Sequence, residues 1–389
     1  MEEVISTEKI PIKLWLKAKD IEEGAMRQIK NIANFPFAFH HIAVMPDAHS
    51  GYGMPIGGVL ATKKVIVPNA VGVDIGCGVC AQKTSLEQIA LTDLKSVMAG
   101  MRRMIPLGFN KHKKEQSEAL MPKLIIEGSC ISNEWSNALK SLGSLGGGNH
   151  FLEIQKDTNG HIWIMLHSGS RNLGKKVADY YNQLAVGECR KKNGFDELVK
   201  QGLAFLELDS EIGRRYFAEM LFCVEYALAN RKLMMERIKK VFENNIGDIK
   251  WGDFINIAHN YGSRELHFGE EVIVHRKGAT QALKGQTGII PGSQGTKSYI
   301  VRGLGNAESF TSCSHGAGRK MGRNQAIRGL NLQEEIERLN KKGIVHAIRT
   351  RRDLDEAAGA YKDIDEVIRN QADLVEIITE LEPLAVIKG

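Results

Sequence analysis

Two kinds of segment alternate along this chain, and their order limits the folds that it can adopt. Segments rich in glycine, histidine and asparagine, with short apolar runs, cover roughly 41–80, 141–175 and 251–323. A different pattern fills 212–242, where residues recur at helical spacing with charges between them: Ile212, Tyr216, Met220, Cys223, Ala227 and Met234. We therefore expect a helical segment at about 175–245, set into a body of strands and loops.

The composition is that of an ordinary globular chain. Its 389 residues are 43% hydrophobic and 25% charged. The net charge of +6 does not by itself indicate nucleic-acid binding, because many metabolic enzymes are equally basic. No run approaches the roughly 20 apolar residues of a membrane helix, and the N-terminus does not resemble a signal peptide. Six cysteines without framework spacing predict reduced thiols, so we expect a soluble, cytoplasmic protein with no membrane partner.

The stretch "VGVDIGCGVC" at 71–80 places Asp74 and Cys77 among small and apolar neighbours. A buried carboxylate beside a buried thiol is costly unless a cation pairs with them, and glycines let the backbone bring both to one point. A metal ion is the natural candidate. Cys77 and Cys80 also form a CxxC motif, but no second pair completes a zinc site, and the following residues resemble a strand rather than a redox helix.

Three histidines stand in glycine-rich surroundings. The β-prone runs "HIWIML" and "DFINIA" lead to His167 and His259, and His150 follows "GGGN". Each alone is more often a hydrogen-bonded core histidine than a ligand. Together with Asp74 and Cys77 they offer five ligands, which suits two ions that share a bridging thiolate. The spacing does not choose among manganese, iron and zinc.

The segment "SCSHGAGRKMGR" at 312–323 surrounds His315 with glycines and follows it with Arg319 and Arg323. An accessible imidazole beside guanidinium groups can attack phosphorus and form a phosphoramidate. A glycine turn with surface arginines explains the pattern equally well. The loops "GGGNHFLE" and "PGSQGTKSY" could hold phosphate in nests of backbone N–H groups, but neither has Walker spacing, and each alone indicates only a tight turn.

Nine blocks, in order from about residue 41 to Gly389, resemble the RtcB family of RNA-splicing ligases. They are "MPDAHSGYGMPIGGVLAT", "VGVDIGCG", "GGGNHFLEI", "HSGSRNLG", "HRKGAT", "PGSQGTKSYIV", "SCSHGAGR", "GAYKDIDEV" and "PLAVIKG". The resemblance is weakest at the N-terminus and in the helices at 175–245. It implies an α+β fold, a single ligase domain over 1–389, with mixed sheets around a metal centre and helices at the periphery.

The resemblance also implies a reaction. Two Mn²⁺ ions and GTP would support guanylylation of a histidine, and the enzyme would join RNA 2′,3′-cyclic phosphate or 3′-phosphate ends to 5′-hydroxyl ends. An RNA-ppG end would form on the way and GMP would be released, in tRNA splicing or RNA repair. The implied partners are RNA, GTP and an archease-type activator. The lysine-based KxDG motif of ordinary nucleic-acid ligases is absent, which agrees with a histidine nucleophile.

Transferred residue by residue, the resemblance makes His315 the nucleophile and Asp47 its orienting carboxylate. Cys77 would bridge two ions, one completed by Asp74 and His150 and the other by His167 and His259. The implied GTP contacts are Asn149, His150, Phe151, Leu152, Glu153, His259, Asn260, Pro291, Gly292, Ser293, Gln294, Ser298, His315, Gly316, Ala317, Gly318 and Lys388. The implied contacts to RNA phosphates are Arg171 and Arg319.

Three positions depart from the usual family pattern. Gln294 and Val79 stand where methionine is common, and Gly322 stands where serine is usual. None is a predicted ligand or the nucleophile, so these departures bear on the nucleotide pocket and on RNA preference. One alternative is a metal-dependent phosphoesterase that only opens cyclic phosphates, which would not need His315 or Lys388. Another is a catalytically silent RNA-binding module, which the intact ligand set disfavours.

Overall fold

A computed structural model of the protein describes residues 1–123 and 129–389. The strands are β1 (Glu3–Ile5), β2 (Ile12–Leu14), β3 (Ala38–Tyr52), β4 (Met54–Thr62), β5 (Val65–Ile66), β6 (Gly78–Thr84), β7 (Phe151–Asp157), β8 (Ile162–Ser168), β9 (Leu206–Glu207), β10 (Trp251–Ala258), β11 (Asn260–His267), β12 (Glu270–Lys277), β13 (Ala279–Gln281), β14 (Thr287–Ile290), β15 (Ser298–Gly303), β16 (Ser312–Ser314) and β17 (Val375–Lys388).

The helices are α1 (Glu23–Ala33), α2 (Pro68–Val71), α3 (Leu91–Met104), α4 (Cys130–Ser141), α5 (Arg171–Lys191), α6 (Asp196–Lys200), α7 (Glu211–Asn245), α8 (Arg323–Gly329), α9 (Leu332–Lys341) and α10 (Ile364–Arg369). Short 3₁₀ turns lie at Ala18–Asp20, Glu118–Leu120, Ala307–Ser309, Arg351–Glu356 and Ala358–Ala360. Within the described ranges, no helix is long and apolar enough to cross a lipid bilayer.

The predicted helical segment is confirmed as α5, α6 and α7, with the short strand β9 before α7. Helix α7 begins where the Ser210 hydroxyl accepts a hydrogen bond from the Gly213 amide at 3.0 Å, an ordinary N-cap. Of the six residues at helical spacing, all but Ile212 are buried. The periodic stripe is therefore a core-facing surface of the helix.

The smaller of the two large sheets has the strand order β1-β2-β3-β4-β12-β11. β2 and β3 are parallel, and the other neighbours in this sheet are antiparallel, so the sheet is mixed as expected. Its apolar residues pack with those of α1, α5 and the first half of α7. The α+β prediction is confirmed, whereas the assignment of 1–389 to one domain stays a prediction.

The larger sheet has the order β10-β6-β8-β7-β17-β15-β14 and is antiparallel throughout. Its edge strands β10 and β14 contact each other, so the sheet curls into a near-barrel around a small apolar cluster. On the outer side, α3 and the second half of α7 pack against β6, β7, β8 and β17. This near-barrel positions most of the predicted site.

Antiparallel pairing brings strand beginnings and strand ends to the same rim of the near-barrel. The register pairs Phe151, at the beginning of β7, with His167 near the end of β8 and with Lys388 at the end of β17. It likewise pairs Gly78, the first residue of β6, with Ala258, the last of β10. Residues that flank these positions are therefore neighbours in space although they are far apart in the sequence.

Candidate metal centre and active site

The five predicted metal ligands form a row at the rim of the near-barrel. Asp74 Oδ2 lies 3.1 Å from His150 Nε2, which is 3.4 Å from the Cys77 sulfur. On the other side of that sulfur, His167 Nε2 is 3.1 Å away, and it lies 3.3 Å from His259 Nε2. Cys77 is thus the middle member, with a histidine and one further ligand on each side.

The loop that carries Asp74 and Cys77 is held in place by its glycines and by α7. Gly76 adopts φ 75°, and a Cβ there would lie 2.8 Å from the backbone of Val224 on α7. The Gly76 carbonyl accepts a hydrogen bond from the buried Arg231 at 3.0 Å, and the Cys77 amide donates to the Asp74 carbonyl at 3.1 Å. The glycines therefore allow the close approach that the sequence suggested.

The donor atoms of this row fit a metal cation. The ligand atoms of Cys77, His150 and His167 all lie within 4.8 Å of one another. Burial lowers the pKa of His167 and of His259 well below the ordinary value, which keeps both imidazoles neutral and able to bind metal. Burial raises the pKa of the Cys77 thiol, and Asp74 raises it further. A bound cation offsets that penalty and favours the thiolate.

His315 follows β16 and lies beside the metal-ligand row. Its ring centroid is 4.8 Å from that of His259. Its Nδ1 is 2.6 Å from Asp47 Oδ2 on β3, and the same oxygen accepts the backbone N–H groups of His315 and Gly316. Burial raises the pKa of Asp47, but the charge and hydrogen bond of His315 outweigh burial and lower it overall. An ionised Asp47 favours the tautomer that leaves the lone pair on His315 Nε2.

A cavity of about 390 Å³ opens beside His315 and His167. Many of the predicted GTP contacts line it: Asn149, Phe151, Glu153, Pro291, Gly292, Ser293, Gln294, His315, Gly316, Ala317, Gly318 and Lys388. The remaining predicted contacts do not border it. Leu152 packs into the core on the outer face of the sheet, and the Ser298 hydroxyl accepts a hydrogen bond from the Gly292 amide at 3.2 Å. Asn260 bridges the Asp74 carbonyl and the Gly278 amide.

Lys388 and Glu153 both lie at the wall of the cavity, and the charge of each shifts the pKa of the other. The Lys388 ammonium lies 5.7 Å from the ring centroid of Phe151. Burial lowers the pKa of Lys388, although Glu356 and Glu153 oppose that shift. Burial raises the pKa of Glu153 to about 8, against the opposing charge of Lys388. The end of β17 therefore delivers a cation into the cavity.

Glu356 organises another part of the cavity wall, and no motif in the sequence indicated it. Its carboxylate accepts hydrogen bonds from Arg319 and Arg323, both at 2.8 Å, and from the Tyr361 hydroxyl. Its carbonyl accepts the Gln294 side-chain amide at 2.7 Å. Burial raises the pKa of Glu356, but Lys388 and Arg319 lower it overall. Tyr361 lies in the block "GAYKDIDEV", and Arg319, Arg323 and Gln294 lie in other segments that the sequence pattern singled out.

The two predicted RNA-phosphate contacts already have protein partners. Arg319 is engaged by Glu356 and by the Asp355 carbonyl at 2.6 Å. Arg171 begins α5 and donates to the Ser144 hydroxyl at 3.0 Å and to the Gly108 carbonyl at 2.8 Å. Their contact with RNA stays a prediction.

The three departures from the family pattern lie in different surroundings. Val79 is part of the apolar cluster inside the near-barrel, and Gln294 reaches the Glu356 carbonyl. Gly322 precedes α8, and a Cβ added there would meet no heavy atom of the described residues within 4 Å. A serine could therefore stand at residue 322 without displacing any of these neighbours.

This fold and site define an α+β protein with a cysteine–histidine–aspartate metal-ligand row and a carboxylate-oriented histidine at the edge of a cavity. The family model "tRNA-splicing ligase RtcB" matches it over residues 28–136 and 125–389. The chain belongs to the RtcB family. It is 40% identical to the RNA-splicing ligase RtcB1 of Escherichia coli ATCC 25922, over 100% of this chain and 99% of that protein. It is 39% identical to RtcB of Escherichia coli K12, over 100% of this chain and 99% of that protein. It is 31% identical to the tRNA-splicing ligase RtcB of Methanococcus maripaludis, over 95% of this chain and 92% of that protein.

Proposed function

We propose that the protein is an RNA ligase that works through a GMP-histidine intermediate on His315. The relatives are named RNA-splicing or tRNA-splicing ligases, which supports RNA as the substrate. The observation that carries the mechanism is the 2.6 Å contact between His315 Nδ1 and Asp47 Oδ2, next to the metal-ligand row. It leaves Nε2 as the nucleophile on the cavity side.

In the first step, His315 Nε2 attacks the α-phosphorus of GTP, the new P–N bond forms, and pyrophosphate leaves. Asp47 keeps the Nδ1 proton in place and stabilises the positive charge that develops on the ring. In the glycine-rich residues 291–294 and 316–318, the amides of Gln294 and Gly318 would be available to the phosphates. Those of Gly292, Ser293, Gly316 and Ala317 already donate to protein oxygens. The Lys388 ammonium suits guanine, because it can donate to O6, whereas adenine presents an amino group there.

Two Mn²⁺ ions would be held by Asp74, Cys77 and His150 on one side and by Cys77, His167 and His259 on the other. When bound, they would supply positive charge for the phosphates during transfer. The position of Cys77 at the centre of the row supports this assignment of ligands to two ions.

In the second step, an RNA 3′-phosphate oxygen attacks the phosphorus of the GMP-histidine, the P–N bond breaks, and an RNA-ppG end forms. The 5′-hydroxyl of the second RNA then attacks the 3′-phosphorus and GMP leaves. Beforehand, water attacks the phosphorus of a 2′,3′-cyclic phosphate, the bond to O2′ breaks, and a 3′-phosphate and a 2′-hydroxyl are left. We place this reaction in tRNA splicing or RNA repair in the cytoplasm, carried out by one ligase domain over 1–389, with an archease-type activator as a partner.

The test is labelling with α-labelled GTP and Mn²⁺. We expect an acid-labile, alkali-stable label on the protein, and transfer of that label to an RNA with a 3′-phosphate end. His315→Ala should abolish labelling and keep its metal. His161→Ala is the matched control, because His161 precedes β8 at the end opposite His167. A His315→Ala protein that still takes up GMP, or a label with the reverse lability, would remove the proposal. RNA with opened cyclic ends but no joining would favour the phosphoesterase alternative.

A further inference from the structure

A cationic loop with an exposed aromatic residue adjoins the site, and none of the steps above uses it. Residues 102–114, "RRMIPLGFNKHKK", contain five lysines and arginines and no Asp or Glu. At their centre, Phe109 is fully exposed to solvent. A fully exposed phenylalanine offers the faces of its ring to a binding partner, and here it stands among cations rather than alone.

Backbone contacts attach this loop to the metal-ligand row. The Gly108 amide donates to the Gly146 carbonyl at 2.9 Å, and the Gly108 carbonyl accepts from Arg171 at 2.8 Å. Gly146 itself is packed so closely on His150 that a side chain there would overlap the imidazole. Phe109 therefore directly follows Gly108, which hydrogen-bonds to Gly146, and Gly146 in turn packs on the His150 imidazole.

Positive side chains flank Phe109 on both sides. Lys111, Lys113 and Lys114 follow it and are exposed. Arg102, which precedes it at the end of α3, lies close enough to Arg349 for the two charges to repel. The loop thus combines an aromatic face with several exposed cations, and Gly108 connects it to the backbone beside His150.

We propose that Phe109 stacks on a nucleobase of the single-stranded RNA end that enters the site, while Lys111, Lys113 and Lys114 contact its phosphates. Aromatic faces stack on unpaired bases of any sequence, and lysines next to them neutralise the backbone. An acidic protein partner would also match the charges, but the proposed function brings RNA to this site. The inference rests on the proposed RNA ligase function and adds a part of the RNA-binding surface to it.

The test compares Phe109→Ala, Phe109→Trp and the control Leu266→Ala, which alters another exposed apolar residue on the edge strand β11. We expect Phe109→Ala to raise the RNA KM about tenfold, as for one lost base stack, with little change in kcat. Phe109→Trp should restore the KM, and Leu266→Ala should not change it. RNA alone should quench the fluorescence of the Phe109→Trp protein more than that of the parent.

The outcomes separate this inference from the proposed function. A parent protein that does not join RNA ends contradicts the proposed function, and the quenching by RNA still tests the stacking. A parent protein that ligates, with an unchanged KM for Phe109→Ala and no added quenching for Phe109→Trp, overturns the inference. A Phe109→Ala protein that loses GTP labelling in the absence of RNA also overturns it, because the loop would then act on the structure of the site.

Discussion

Cys77 and Cys80 are three residues apart and face opposite environments. The Cys77 sulfur contacts two histidines in the metal-ligand row. Cys80 lies on β6 and packs in the apolar cluster under α3 and α7. Both are free thiols. The CxxC motif therefore has one member at the site, on the loop before β6, and one in the core, on β6 itself.

At this scale we predict that Cys77→Ser lowers bound Mn²⁺ more than His150→Ala or His259→Ala does. A bridging thiolate serves both ions, whereas each histidine serves one. Elemental analysis of the purified variants measures the difference. Cys80→Ser is the matched control and should keep the metal content of the parent. One ion at full occupancy in Cys77→Ser would contradict the bridge.

Strand β12 links the sheet to the segment that carries His315. Its residue Arg276 is fully buried and donates to the Ser312 hydroxyl at 2.9 Å and to the Phe310 carbonyl at 2.8 Å. It also forms an ion pair with Glu265 on the neighbouring strand β11, at 2.5 Å. Burial raises the pKa of Glu265, but Arg276 outweighs burial and holds it below the ordinary range. The ion pair therefore holds Arg276 in the position from which it hydrogen-bonds to β16, and so helps to fix β16 against the six-stranded sheet.

We predict that Glu265→Gln lowers the free energy of unfolding by about 3 kcal/mol at neutral pH, because it leaves Arg276 buried without its partner. A carboxylate whose pKa is lowered in the folded state stabilises the fold at pH values above its ordinary, unfolded-state pKa. This stabilisation is lost as the pH falls through the folded-state pKa. The difference between parent and variant should thus shrink below about pH 4. Urea unfolding at several pH values measures it. The control is Glu271→Gln, from the exposed pair with Arg264, and an equal loss there would contradict the argument.

Local sequence patterns predicted the elements better than their arrangement. The runs before His167 and His259 form the strands β8 and β10, and the periodic stripe forms α7. β7 and β8 are consecutive strands that form a hairpin, but no local signal places β6 beside β8 or β17 beside β7, because those two pairings join segments that are distant in the chain. Glu356 had no signal because its partner Arg319 is distant in the chain and the residues around Glu356 form no recognisable motif.

At the scale of the whole molecule, the site lies where the two large sheets meet. His259 is the single residue between β10 of the near-barrel and β11 of the six-stranded sheet. Asp47 comes from β3 of the six-stranded sheet, whereas Cys77 and His167 come from the rim of the near-barrel. Helix α7 packs against both sheets with its two halves. The site therefore draws its side chains from both large sheets.

We accordingly predict that Mn²⁺ raises the melting temperature of the whole protein in one cooperative transition. An ion that binds only the folded state adds about 2.7 kcal/mol at 100 times its Kd, which corresponds to a rise of a few degrees for a chain of this size. Differential scanning calorimetry with and without Mn²⁺ measures the rise. Cys77→Ser should lose most of it, since the shared ligand is gone, and His315→Ala should keep it because His315 is not a predicted ligand. A rise of equal size in Cys77→Ser would place the stabilising ion away from the row of ligands, and two separate transitions would show that the sheets unfold independently.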